Sequence, residues 1–355
     1  MQTQVLIAGG GIGGLTLAAL CWKIGIPCKV LERSTALEPV GARISLAPNA
    51  LRVLDQLGLY EYIRWEGSPV RKIRVYRNQA KWSEIDFQWL EGAFGYLVYS
   101  IERHSFHGRL YEAAGGAETV ILGAEVVEVV HPSPTESEVT VVLADGRRYK
   151  GDVLVGADGV RSVFTGRVHL SGYTAPLTHL GPAEEGIAHW LFYDRSNLTT
   201  WPCKDHHQWF VGAVTSQLKQ PDRSVWKHAD VDTINSVYGH EYHPFAPSGF
   251  FREITNKAER VVASDVFHQT AFPPMAAGRI ALIGDATHAM TSFFGQGACQ
   301  AIEDATELAN ALALSFEKPE TMEATLQVYR QSRWQWALQW LYGHQPNLKR
   351  MGCGV

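Results

Sequence analysis

The chain has little of what would tie it to a surface or brace it covalently. Its 355 residues include five cysteines, an odd number without metal-ligand spacing. Cys21, Cys28, Cys203, Cys299 and Cys353 therefore read as free thiols in a reducing compartment, not as a disulfide framework or a zinc site. No apolar run approaches the roughly 20 residues needed to span a bilayer. Strand-like sequence begins at Val5, leaving no room for a signal peptide, so a cytoplasmic location is expected. The net charge of −4 gives no basic footprint for nucleic acid or an anionic membrane. There is no internal repeat and no low-complexity segment. The remaining composition, 46% hydrophobic and 19% charged, is that of an ordinary globular enzyme. Its length suits two domains better than one core of about 150 residues.

What the chain does have begins at Val5-Leu6-Ile7-Ala8, an apolar strand that runs into Gly9-Gly10-Gly11-Ile12-Gly13-Gly14. An apolar helix follows, and Cys28-Lys29-Val30-Leu31-Glu32 ends a second strand in an acid. Gly9 permits the tight turn, Gly11 lets backbone approach a pyrophosphate, and Gly14 lets helix and sheet pack closely. The helix start offers N–H groups to phosphates, and Glu32, at about the expected 20-residue interval, offers a carboxylate to a ribose hydroxyl. An ordinary glycine-rich loop is the alternative, but strand, turn, helix, strand and acid fall in the order a dinucleotide site requires.

Further along, Val153 to Gly159 is an apolar strand ending in Asp158-Gly159, and Ile280 to Asp285 is another ending in Gly284-Asp285. Ala298, Ala301, Ile302, Ala305, Leu308, Ala309 and Leu312 mark one face of a long helix. Strands are expected at 73–76, 85–87, 126–130 and 139–143, with a tight turn at Asp145-Gly146. Residues 175–274 are irregular and aromatic. Six of the eleven tryptophans (Trp82, Trp89, Trp190, Trp201, Trp209 and Trp226) lie in two stretches assigned to a substrate-facing layer, although plain packing of a sheet would also use them.

Three motifs coincide: the glycine turn with Glu32, Gly156-Ala157-Asp158-Gly159-Val160-Arg161-Ser162, and Gly284-Asp285-Ala286-Thr287-His288 followed by Gly295-Gln296-Gly297 and Gln300 to Ala305. Together they resemble the single-component FAD-dependent aromatic hydroxylases, a group that includes fungal secondary-metabolite monooxygenases. The resemblance runs from Val5 to about Leu314. It implies an α/β fold: a Rossmann-like FAD-binding domain of the p-hydroxybenzoate hydroxylase type, interrupted by a mainly antiparallel substrate sheet, with C-terminal helices. The expected division is 1–70, 98–174 and 275–319 for FAD, 71–97 and 175–274 for the substrate sheet, and 320–355 as a helical tail.

By the same resemblance, Asp285 accepts hydrogen bonds from the ribityl chain, and Gly295, Gly297 and Ala298 open a helix facing the pyrimidine end of the flavin. Arg103 reaches the phosphate and ribityl region, and Asp158 serves both FAD and NAD(P)H. Arg33 and Arg43 complete the cofactor set; the family more often has glycine at position 43, in the loop Gly41-Ala42-Arg43-Ile44. The implied reaction consumes NADPH or NADH and O2 through a flavin C4a-hydroperoxide, and no metal is involved. The absence of a second G-x-G-x-x-G fits a family without a separate nicotinamide domain.

The chain departs from that pattern elsewhere as well. Ser292 stands where the family usually has proline. By that resemblance, the Arg and Tyr-Pro that phenol and salicylate hydroxylases often carry on successive substrate strands are replaced by His189 and Trp201-Pro202. His189 and Trp201 are therefore the candidate substrate residues. Alternation puts His189, Leu191 and Tyr193 on one face and Ala188, Trp190 and Phe192 on the other. Without the Arg/Tyr pair, the expected substrate is an apolar aromatic or polyene small molecule, hydroxylated or epoxidised by a monomer or homodimer. A dehydrogenase or reductase on the same fold, or a flavin-bound cyclase, is the alternative; a gain of one oxygen in the product separates them.

Overall fold

The computed structural model describes residues 4–37, 43–130, 138–159, 163–194, 196–215, 229–268, 273–289, 295–316, 318 and 321–343. Gly41, Ala42, Arg161, Ser162, Trp226 and Ser292 lie outside them. Two compact units emerge: one from Met1–Glu38, His107–Ser162 and Gln269–Val355, the other from Pro39–Phe106 and Val163–His268.

The first unit is built on a six-stranded sheet in the order Ala276–Ala277, Ile280–Leu282, Val153–Gly156, Val5–Ala8, Cys28–Glu32, Val120–Leu122. All neighbours are parallel except the short Ala276–Ala277 edge. Parallel strands covered on both faces read as continuous apolar runs, and Val5, Leu6, Ile7, Val153 and Val155 are fully or almost fully buried. An antiparallel meander, Val126–Val130, Val139–Leu143 and Arg148–Gly151, packs Val139, Val141 and Leu143 against Leu6, Leu31 and Leu154. Helices Ile12–Ile24 and Gly297–Ser315 pack closely through small residues: a Cβ on Gly13 would stand 3.3 Å from the Ala301 methyl.

The second unit centres on a seven-stranded sheet: Ala258–His268, Val163–Thr174, Gln208–Thr215, Asn197–Pro202, Ile187–Phe192, Lys72–Arg77, Ala80–Asp86. Only Ile187–Phe192 and Lys72–Arg77 run parallel. One face is closed by helices Val231–Tyr238 and Arg252–Thr255, which bury Ile234, Tyr238 and Ile254 on Leu170, Leu191, Leu198 and Phe210. Asp230 and Thr233 form a capping box at the start of the first of these. A small sheet of Arg43–Leu46, Val98–Glu102 and Ser68–Val70 completes the unit.

The boundaries differ from those expected. Residues 39–70, 98–106 and 163–174 belong with the substrate sheet, because Val163–Thr174 is hydrogen-bonded on both sides within it and the small sheet pairs only with itself. Nor is Met322–Gly343 a separate tail: Tyr329 Oη donates to the Leu282 carbonyl at 2.9 Å, inside the first unit. Trp82 and Trp89 do not join an aromatic layer; both are more than half exposed.

Candidate functional site

In the first unit, four of the expected residues lie at or just beyond the carboxyl ends of parallel strands: Gly9, Glu32, Asp158 and Asp285. That end of an open α/β sheet is where ligands bind. The glycine turn is shaped by sterics. Gly9 has φ +112°, and a Cβ there would strike the Ala157 carbonyl. A Cβ on Gly14 would strike the Gly9 carbonyl. Around Gly11, by contrast, a Cβ would meet nothing within 4 Å, so its bareness serves no packing within the protein.

The carboxylate of Glu32 accepts from the Gly10 N–H at 2.6 Å and from the Ser34 N–H at 2.8 Å. Each oxygen keeps a lone pair for a further donor. His107, which the sequence did not single out, lies 2.6 Å from the Gly10 carbonyl through Nε2, so that nitrogen carries the proton and donates.

The strand end at Gly284 is held from below. The Asp304 carboxylate is fully buried; one oxygen accepts from the Gly284 N–H at 2.8 Å and pairs with His288 Nε2 at 2.6 Å. Its other oxygen accepts from Arg333 Nε at 2.8 Å, and Arg333 also reaches Glu303 and Gln300. Burial alone would raise the Asp304 carboxyl, but His288 and then Arg333 outweigh it and hold it below its ordinary value. This network turns Asp285 outward, exposed, while Gly284, Thr287 and His288 stay buried. Ala301 lies one turn into the long helix. Its methyl is 3.3 Å from a Cβ placed on Gly13 and 3.0 Å from one placed on Gly284. The first turns of both helices and the Asp285 turn thus converge.

Neither helix start has a side-chain cap or an acid in its first turn. Gly295 has φ +64°, and a Cβ on Gly297 would meet nothing within 4 Å. Two helix starts without a side-chain cap, carrying partial positive charge, suit an anionic or carbonyl-bearing ligand. These residues fit FAD: a bare glycine turn and helix start for a diphosphate, an acid 22 residues along from Gly10 for a ribose, and an exposed Asp285 for a polyol. Arg33, Arg103 and Asp158 are exposed. Arg103 opens its helix, the end where a cation is unfavourable to the helix itself.

His288 supplies a pH test. Burial lowers it, but Asp304 outweighs burial and leaves it above its ordinary value. Its contribution is therefore complete below the unfolded value of about 6.5 and is lost as pH rises through the raised folded value. The stability advantage of wild type over His288→Gln, followed by urea unfolding, should shrink between about pH 6 and pH 9; a constant advantage would contradict the pairing.

In the second unit the two candidate substrate residues part company. His189 lies on the helix-covered face, fully buried, 5.1 Å from the Phe245 ring and 5.4 Å from His243. Burial, then Arg74, lowers it to about 3, so it is neutral. The alternation is as expected, but the face that carries His189 is closed by helices, so it does not line a pocket there.

Trp201 lies on the opposite face, with Trp190 and Trp209, and its Nε1 donates to Thr199 Oγ1 at 3.0 Å. Arg43, from the small sheet, stands over the Trp201 ring at 4.5 Å, and Arg260 stands over Trp209 at 5.8 Å. Arg260 is paired with Glu102 at 2.8 Å. Arg43 is buried and lowered to about 10 by that burial; among the described residues its guanidinium makes one hydrogen bond, to Ser45 Oγ at 3.4 Å. A cavity of about 150 Å³ lies alongside, lined by Ser100, Glu102, Tyr173, Cys203, Lys204 and His207 among others.

Comparison with known proteins places the chain. Residues 2–342 match the family described as FAD binding domain. The chain is 63% identical to the FAD-dependent monooxygenase pynG of Aspergillus niger, over 98% of this chain and 97% of that protein. It is 50% identical to the FAD-dependent monooxygenase pytG of Aspergillus terreus, over 70% of this chain and 80% of that one. Among solved structures, Klebsiella pneumoniae HpxO complexed with FAD and uric acid superposes with a TM-score of 0.78 at 22% identity, over 93% of this chain and 84% of that chain, a likeness of fold.

Proposed function

The chain belongs to the FAD binding domain family, and from that premise we propose that it adds one oxygen atom to a planar, largely apolar aromatic or polyene small molecule, consuming NADPH or NADH and O2, in secondary metabolism. It is an FAD-dependent monooxygenase. The observation that carries the reading is the convergence, at Ala301, of two uncapped helix starts with the Asp285 turn, beside the carboxyl ends of the strands.

Glu32, already fixed by the Gly10 N–H, would accept from the ribose, and the first turn of Ile12–Ile24 would bind the diphosphate. Asp285 would hold the ribityl hydroxyls. Gly295, Gly297 and Ala298 would bring helix N–H groups to the pyrimidine end, where they favour negative charge. Arg33 and Asp158 complete the set by family likeness. Bound FAD supplies the redox chemistry, passing two electrons from the nicotinamide to O2, of which one atom goes to the substrate and the other to water. The tryptophan face of the second unit would seat the substrate and exclude water. No acid–base side chain is assigned, and neutral, enclosed His189 is not needed as one.

The purified protein should be yellow, and heat should release FAD intact; FMN, or no flavin after reconstitution, would refute the cofactor. Incubation with NADPH or NADH, ¹⁸O₂ and a panel of aromatic and polyene compounds should give a product heavier by one ¹⁸O atom. Oxidation without label would favour a dehydrogenase, and turnover without nicotinamide a cyclase.

A further inference from the structure

The second unit holds a charge that its own residues leave unanswered. Arg43 is about nine-tenths buried, and its Nε and Nη2 have no hydrogen-bond partner among the described residues. A buried guanidinium without a carboxylate is costly, and the stack on Trp201 offsets only part of that cost. The neighbouring arrangement shows what a satisfied version looks like: Arg260 stands over Trp209 and is neutralised by Glu102. Glu102 is also the register partner of Arg43 across the small sheet, yet its carboxylate is committed to Arg260. Cys203, whose charge would act on Arg43, is pushed up to about 11 by burial and stays a neutral thiol. The Arg43 fork therefore stands over Trp201, on the tryptophan face of the substrate sheet, as a cation without an anion among the described residues.

We propose that Arg43 is a specificity-determining residue that receives an acidic oxygen, an enolate or carboxylate carried on the otherwise apolar substrate, while Trp201 holds the guanidinium plane in position. The cation missing from the substrate strand, where His189 stands, is on this reading supplied from Arg43–Leu46 instead. A planar fork prefers two oxygens, or one oxygen in the plane of a conjugated ring, so a vinylogous acid suits it better than an isolated alcohol.

This rests on the proposed monooxygenase reading, and the test separates the two. The probes are 4-hydroxycoumarin, a planar enolate at neutral pH, and its neutral 4-methoxy ether, titrated by calorimetry into FAD-loaded wild type, Arg43→Gln and Arg43→Lys. Wild type should bind the enolate at least about tenfold more tightly than the ether, the factor expected for a charged hydrogen-bonded pair. Arg43→Gln should bring the ratio near one with FAD content unchanged. Should Arg43→Gln fail to fold, Arg43→Lys, which keeps charge but loses the fork, must weaken the enolate at least about threefold and leave the ether alone. A preference that survives in Arg43→Gln, loss of FAD from that variant with the preference intact, or no preference in wild type (binding of neither included) overturns the proposal. Failure of wild type to hold FAD at all would instead overturn the reading beneath it.

Discussion

Replacing Asp304 with alanine is expected to cost about 3–5 kcal/mol, because it breaks a buried ion pair on one side only. His288, whose side chain is 4% exposed, would lose its acceptor, and Arg333, at 5%, would keep only Glu303 and Gln300. The Gly284 N–H would lose its acceptor as well. Gly284 has φ +60°, so the turn that presents Asp285 depends on this anchor for its shape. FAD affinity should therefore fall together with stability. Asp304→Asn should do less damage, since it retains an acceptor for Gly284 while losing the charge. Urea unfolding and flavin titration would check both. An alanine variant with the wild-type midpoint and full flavin would mean that the network positions nothing.

Gly14→Val should be nearly as damaging, for a steric reason. The Cβ alone would collide with the Gly9 carbonyl, and Gly9 cannot yield easily, being itself pressed against Ala157 at φ +112°. Overpacking of this kind costs about 1–3 kcal/mol where side chains can adjust; here backbone must move, and the moving backbone is the diphosphate turn. The variant should be isolated with a lowered melting temperature and little flavin. A stable, fully yellow Gly14→Val protein would show that helix and turn are not packed as described.

The FAD unit was legible because its signals are local. Gly9 and Gly14 are dictated by atoms within a few residues or one strand away, and Glu32 ends a strand whose apolar run is continuous. The partners that complete it were not. Asp304 lies 16 residues from His288 and 29 from Arg333, and only the fold brings them together. His107 meets Gly10 across 97 residues.

In the second unit, period-two alternation correctly sorted His189 from Trp190, but it cannot say which face is open. That was decided by helices Val231–Tyr238 and Arg252–Thr255, in a stretch that reads as irregular. The Asp230–Thr233 capping box was the signal available for the first of them. The edge of the FAD unit was misplaced because Val163–Thr174 gains its partners from strands some 40 and 90 residues away. The sequence groups Arg43 with the cofactor residues and gives no sign of its stack on Trp201, which joins the small sheet to a strand more than 150 residues away.

Gly11 offers the most direct test of where FAD binds. A Cβ there would meet no described atom beyond its chain neighbours within 4 Å, and its φ of −75° and ψ of −175° are extended backbone that a branched residue can adopt. Gly11→Val apoprotein should therefore unfold within about 1 kcal/mol of wild type, as exposed substitutions do. Its dissociation constant for FAD, measured by fluorescence titration, should nevertheless rise at least about tenfold, because the added methyls would stand where the diphosphate must approach the helix start. Unchanged stability with weakened FAD is the result this account predicts. Unchanged stability with unchanged FAD affinity would contradict it.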